Sequence, residues 1–403
     1  MPRWVGLGLL RGRRFMSAKP SLCIVTTVAA SVRAFYPAMI QALVDGGFEV
    51  TVVCADDPAL ASELPLGVRF IPCAFARRES PWRDLKALVR LVGIFRAHHF
   101  DIVQYSTPKA SLLAALAGWI TRAPVRLYLL WGLVYVTRTG PKRWLLRTLE
   151  KLTCRLSHQI LPLSKGLVAF AIEEGLDRAA KFDIMHHGSV AGIDFRVYEP
   201  ARWKEAGAEI RRQFGIPSGS LVIGTVARLT REKGINELVQ AFAELQRLHP
   251  DLHLLLVGDE EPDDPLFAGT RNEMASNPQI HLAGWQTNPL PYYAAMDIFC
   301  LPTYREGFGE VNIEAQAMGL PVVSTDVIGP RETVIHGETG LTVKPQSATA
   351  LREGLNQLLA LVDARARMGQ AGRAHVQATY DQTEILATTL AHRQHLVIST
   401  PHR

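Results

Sequence analysis

The chain has 403 residues, 48% of them hydrophobic and 20% charged, with a formal net charge of +6. That composition excludes a disordered or low-complexity protein, and the length calls for more than one hydrophobic core. The charge is uneven: residues 1–200 carry a net +11 and the remainder −5, so the first half suits an anionic surface or a phosphorylated ligand.

Residues 1–19 read as a basic arm with Arg3, Arg11, Arg13, Arg14 and Lys19. Its apolar run at 4–10 is short for a signal peptide, and arginines stand where a cleavage site belongs. Met16 offers a second start. No later stretch reaches about 18 uninterrupted apolar residues, so no membrane-spanning helix is expected. Residues 22–28 read as a strand and 34–45 as a helix stopped by Gly46-Gly47. Strands at 48–54 and 68–72 precede a long helix at 82–98. Strand 102–105 leads to helix 109–120, strand 125–130 to helix 142–156, and strand 159–163 follows. Glycines, prolines and charges cluster at 192–219. The second half repeats the scheme: strand 221–227, helix 235–248, strand 252–257, helix 265–275, strands 279–282 and 298–301, helix 310–318 and strand 321–324. This alternation predicts two doubly wound α/β domains, with ligands beyond the carboxyl ends of parallel strands and a cleft between the domains. Cys23, Cys54, Cys73, Cys154 and Cys300 form no Cys-x-x-Cys pair, which argues against a disulfide framework or zinc site and for a reducing compartment.

Chemistry concentrates in residues 305–321, Arg-Glu-Gly-Phe-Gly-Glu-Val-Asn-Ile-Glu-Ala-Gln-Ala-Met-Gly-Leu-Pro. A strand runs into a glycine loop and the loop into a helix, whose free N–H groups and positive dipole end suit a phosphate. Gly307 and Gly309 allow close approach of the backbone, through Phe308, Glu310 and Val311, to a diphosphate. Glu306 and Glu314 would lie about 12 Å apart along a helix axis. A long ligand with a central diphosphate spans that distance, with Glu306 at a sugar and Glu314 accepting from ribose hydroxyls. In residues 226–234, Arg228 and Lys233 flank a turn after a strand and suit the same diphosphate, as fork and point charge. With those cations no metal is expected; neither a metal nor another cofactor is assigned.

This ensemble resembles the signature of glycosyltransferase family 4. The resemblance spans roughly residues 20–380 and is most specific in the second half. It implies a GT-B fold of two doubly wound Rossmann-like domains facing across a cleft: an acceptor domain at 20–195, a nucleotide-sugar domain at 196–380, and a helix at 381–403 returning to the first. It implies a retaining glycosyltransferase moving a hexosyl or N-acetylhexosaminyl group from a nucleotide-diphosphate sugar, with uracil the expected base. Glu306, Arg228 and Lys233 are the implied catalytic residues, and Gly258 and Trp285 join the donor site. The matching stretch at 26–32 lacks the glycine pair many members carry. Gln104, Ser106 and Trp131 stand where many members carry histidines. Ser31, Tyr105, Thr107, Lys109 and Trp131 are the acceptor-side candidates.

Residues 77–99 set Arg83, Lys86, Arg90 and Arg96 among Leu85, Leu88, Val89, Val92 and Phe95, the last five on one helical face. Residues 141–155 add Lys142, Arg143, Arg147, Lys151 and Arg155 beside Trp144, Leu145 and Leu146. A helix packed on the sheet explains part of this pattern. Together with the +11 half, contact with an anionic membrane surface is the favoured reading. The expected enzyme is therefore cytoplasmic and peripheral at the inner face of a bacterial inner membrane. It would extend a polyprenyl-diphosphate-linked glycan for surface polysaccharide such as capsule or lipopolysaccharide. A soluble acceptor, or a sugar-nucleotide-binding subunit without catalysis, is the alternative. No recognised nucleic-acid-binding module is present.

Overall fold

The computed structural model describes residues 19–76 and 80–400; most of the basic arm lies outside them. Apolar runs without polar alternation form the central strands, which are buried on both faces as parallel sheets require. The first sheet contains β1 (Ser21–Val25), β2 (Glu49–Cys54), β3 (Arg69–Pro72), β4 (Ile102–Tyr105), β5 (Val125–Leu130) and β6 (Gln159–Pro162), and the second β7 (Val222–Val226), β8 (His253–Val257), β9 (Ile280–Gly284), β10 (Ile298–Leu301), β11 (Val322–Thr325) and β12 (Gly340–Val343). Their orders are β3-β2-β1-β4-β5-β6 and β12-β11-β10-β7-β8-β9. Read from the other edge, the second order repeats the first, and both are that of dinucleotide-binding sheets. All pairings between these strands are parallel.

The helices in chain order are α1 (Ala29–Phe35), α2 (Pro37–Asp45), α3 (Leu60–Glu63), α4 (Pro81–His98), α5 (Pro108–Ile120), α6 (Gly140–Leu156), α7 (Lys165–Glu173), α8 (Pro200–Gln213), α9 (Ile235–Gln246), α10 (Ala268–Ser276), α11 (Leu290–Ala295), α12 (Glu310–Ala317), α13 (Pro330–Thr333), α14 (Ala348–Ala360), α15 (Val362–Thr379) and α16 (Gln382–Ser399). The chain divides into two units: one runs up to Gly192 and resumes at Gln382, and the other is Ile193–Asp381. The last helix thus belongs to the first unit. Its Arg393 is fully buried and donates from Nε (3.1 Å) and Nη2 (2.8 Å) to Gln104 Oε1. In the second unit, Ile223, Leu254 and Cys300 of the sheet pack with Phe242 of α9 and Leu355 of α14. Val222, Leu255 and Phe299 face Tyr293 of α11 and Ala315 of α12.

Three local expectations are corrected. β1 stops at Val25 rather than at 28, and a loop follows. The helix expected at 34–45 is two helices, because Pro37 lacks the N–H that would continue the first. The packed face of α4 is Ala87, Leu91, Ile94 and Phe95. Leu85 and Val89, expected to share one face with Phe95, are exposed while Phe95 is buried: the helix turns its small residue toward the sheet layer and leaves bulkier ones outside.

Candidate active site

The carboxyl ends of β7, β8 and β10 adjoin in the second sheet, and their following loops are tied together. The Ala227 N–H donates to Val257 O (3.0 Å), Leu229 N–H to Asp259 O (2.8 Å) and Gly258 N–H to Gly284 O (2.8 Å). Tyr304 N–H donates to Glu232 O at 2.8 Å, and Arg305 Nη2 pairs with the Glu232 carboxylate at 2.7 Å. Beside that pair, the Lys233 ammonium hydrogen-bonds the Glu306 carboxylate. Gly234 makes the approach possible: it has φ +71°, and a Cβ there would sit 2.0 Å from the Pro302 carbonyl oxygen. Two sequence-distant loops therefore deliver Lys233 and Glu306 to one place.

From Glu306 the chain passes Gly307 and Phe308 to Gly309, which caps α12 with φ +95°. The Phe308 ring is buried and edge-on to Tyr380, 5.4 Å between centroids. That anchor holds the loop whose next N–H groups, of Glu310 and Val311, open the first turn of α12. Glu314 lies on α12, where its carboxylate accepts from Tyr293 Oη at 2.7 Å and from Tyr198. Burial pushes its pKa above the ordinary carboxylate value, while the two phenols act the other way. Arg228 pairs with Glu261 at 2.5 Å, whereas Lys233 pairs with Glu306. The Trp285 ring is exposed, and its backbone N–H donates to Asp259 Oδ1 at 3.0 Å. Among the described residues no group of three or more His, Cys, Asp or Glu is placed to hold a metal ion.

Residues that sequence reasoning missed support this loop from behind. Asn312 is fully buried and donates to Ser324 Oγ (3.2 Å) and Thr333 Oγ1 (3.0 Å). Gln316 donates to Thr333 O at 2.6 Å. Their signal was present as two amides four residues apart on a helix face that must be buried; their partners on β11 and α13 were not visible.

In the first unit, the loop after β1 meets the loop after β4. The hydroxyls of Thr27 and Thr107 lie 2.7 Å apart, and the Thr27 N–H donates to Thr107 Oγ1 at 3.1 Å. Thr107 has φ +67°, an unusual conformation for a β-branched residue and one concentrated at functional sites. Ser31 lies on α1, its N–H donating to Val28 O at 3.1 Å. Lys109 pairs with Asp84 of α4 at 3.0 Å. Trp131 packs on Phe35 and Tyr36, at 4.9 and 5.3 Å between centroids, and its buried Nε1 has no hydrogen-bond partner among the described residues. Tyr105, an expected acceptor-side residue, is fully buried with its hydroxyl 2.7 Å from Ser157 Oγ. Burial pushes that phenol up. Tyr105 therefore belongs to the packing at the end of α6, and any influence it has on an acceptor passes through other residues.

A sequence model described as "Glycosyl transferases group 1" matches residues 207–375, and one described as "Glycosyl transferase 4-like domain" matches residues 32–183. The capsular polysaccharide biosynthesis glycosyltransferase CapM of Staphylococcus aureus is 32% identical over 294 residues, 73% of this chain and 76% of that protein. The N,N'-diacetylbacillosaminyl-diphospho-undecaprenol alpha-1,3-N-acetylgalactosaminyltransferase of Campylobacter jejuni is 26% identical over 364 residues, 89% of this chain and 94% of that one. Sucrose-phosphate synthase from Thermosynechococcus elongatus shares the fold, with a TM-score of 0.76 at 23% identity over 94% of this chain and 100% of that one. Two units of one strand order, a carboxylate loop opening α12, and these matches agree: the chain is a glycosyltransferase of family 4, with the GT-B fold.

Proposed function

We propose that the chain transfers a sugar, with retention of anomeric configuration, from a uridine-diphosphate donor to a polyprenyl-diphosphate-linked glycan in surface polysaccharide biosynthesis. The observation that carries the reading is the meeting of Lys233 with Glu306 at the loop that opens α12. An ammonium has three donors, so Lys233 can hold Glu306 and still reach a phosphate oxygen. In this reading Glu306 orients the sugar, the first N–H groups of α12 and Lys233 take the diphosphate, and Glu314 takes the ribose. Arg228 reaches the diphosphate by exchanging its partner Glu261. The anomeric carbon–phosphate oxygen bond breaks, the acceptor oxygen bonds that carbon on the same face, and its proton passes to the departing phosphate. The two cations offset the charge that develops there, so no metal is assigned a role. Trp285 borders the base.

The names of the Staphylococcus and Campylobacter relatives, a capsular enzyme and a transferase acting on an undecaprenol-diphosphate sugar, support the acceptor class. An acceptor of that kind puts the enzyme at a membrane surface, peripherally and on the cytoplasmic side. Among the described residues no helix is long and apolar enough to cross a membrane.

The test is a panel of nucleotide sugars offered with a bacterial lipid extract, followed by anomeric analysis of the product. A uridine-diphosphate sugar should be consumed with an α-linked product from an α-linked donor. Glu306→Gln should lower kcat by about a hundredfold or more. An inverted product, or full activity in Glu306→Gln, would sink the mechanism.

A further inference from the structure

Helices α4, α5 and α6 pack side by side as the connections that lead into β4, β5 and β6. Each runs against the strands, so the N-terminal turns of α4 and α6 lie at the carboxyl end of the first sheet. The outer face of α4 presents Trp82 (78% exposed), Leu85 and Val89 (64%) at helical spacing, with Arg83, Lys86 and Arg90 exposed between them. The helix has one acid, Asp84, and it is turned to Lys109. The outer face of α6 repeats the arrangement, with Trp144 (66%), Leu145 and Leu152 beside Lys142, Lys151 and Arg155. Its one acid, Glu150, is buried, and Arg143 and Arg147 are occupied by Glu174. Neither outer face carries a carboxylate. None of Arg83, Lys86, Arg90, Lys151 and Arg155 has an acidic partner among the described residues.

We infer that the outer faces of α4 and α6 form one docking surface for an anionic phospholipid bilayer, the tryptophans entering the headgroup layer and the arginines and lysines meeting lipid phosphates. This rests on the peripheral-membrane reading above and names the surface that performs it. Exposed Trp, Leu and Val at i, i+3 and i+7 have no function toward a polyanion in water. An interfacial helix needs both components on one face. The N-terminal placement of both tryptophans brings the ligand end of the first sheet to the lipid.

The experiment is sedimentation of the full chain with vesicles of phosphatidylcholine alone, or with about one third phosphatidylglycerol. The protein should pellet with the anionic vesicles only, and be released as salt approaches about 1 M. Two variants divide the surface: Arg83→Gln/Lys86→Gln/Arg90→Gln, and Trp82→Ala/Trp144→Ala. Each should weaken vesicle partitioning about tenfold or more while leaving the melting temperature and calorimetric binding of UDP unchanged. Wild-type protein that ignores anionic vesicles overturns both the surface and the peripheral reading. Wild-type binding that neither variant weakens overturns this surface alone. Binding to single-stranded RNA that exceeds vesicle binding and survives the tryptophan substitutions overturns the lipid as partner. Vesicle binding through these residues, with no membrane lipid glycosylated, keeps the surface and removes the lipid-linked acceptor.

Discussion

Glu314 shows how a recognition carboxylate is prepared before its ligand arrives. Tyr293 and Tyr198 each donate a hydroxyl to it, which fixes the side chain and leaves lone pairs for other donors. In Tyr293→Phe one such bond is lost, about 1 kcal/mol. KM for the nucleotide sugar should then rise about fivefold with kcat nearly unchanged, and discrimination against a 2′-deoxyribose donor should shrink. A fall in kcat with KM constant would contradict the role. The two glutamates were legible because one short stretch holds both. The tyrosines were not, because they lie before α8 and on α11 and meet Glu314 only through the packing of the second sheet's helices. Trp131 was legible as a departure from the family's histidine. That its indole N–H is buried without a partner could be read only from the packing of Phe35 and Tyr36 around it.

At the scale of elements, the joints between strands and helices decide the site. Gly234 lets the start of α9 lie against Pro302, so Gly234→Ala should destabilise the chain by about 2 kcal/mol or more and weaken donor binding by separating Lys233 from Glu306. Denaturant unfolding and UDP calorimetry would detect both losses; unchanged UDP affinity would uncouple the joint from the site. In the first unit, α6 buries Glu150 beneath β5. Tyr128 donates to Glu150 at 2.6 Å, yet burial still pushes its carboxyl up to about 7. The unfolded chain loses that proton near the ordinary carboxylate value, so the folded state binds more protons between about pH 4.5 and 7. Stability from this group is complete below that window and is lost as pH rises through 7. Glu150→Gln should therefore raise the melting temperature at pH 8, by the equivalent of about 3 kcal/mol at most, and leave it nearly unchanged at pH 4.5. An equal shift at both pH values would refute the burial of an ionised carboxylate.

Across the whole molecule, the alternation of apolar runs with amphipathic stretches made two parallel sheets legible, because strands covered on both faces carry no competing pattern. β12, at a sheet edge, was missed: only four residues long, it follows a turn whose glycines read as loop. Opposing pH effects also meet at this scale. Burial holds His158 and His281 near 4 and His392 near 2. These rings are neutral in the fold, and the unfolded chain takes up their protons first as pH falls below about 6.5. Stability should decline on acidification from about pH 6.5 toward 4, counter to the Glu150 trend. A melting temperature that rises steadily down to pH 4 would mean these histidines are not held neutral.

The place of α16 has a consequence for how the chain is made. Gln104 leaves the ribosome long before Arg393, with all of Ile193–Asp381 between them. The second unit is a continuous segment and can fold before α16 has emerged. The first cannot close its interior until α16 emerges, so the unit begun first is completed only after the second has been made.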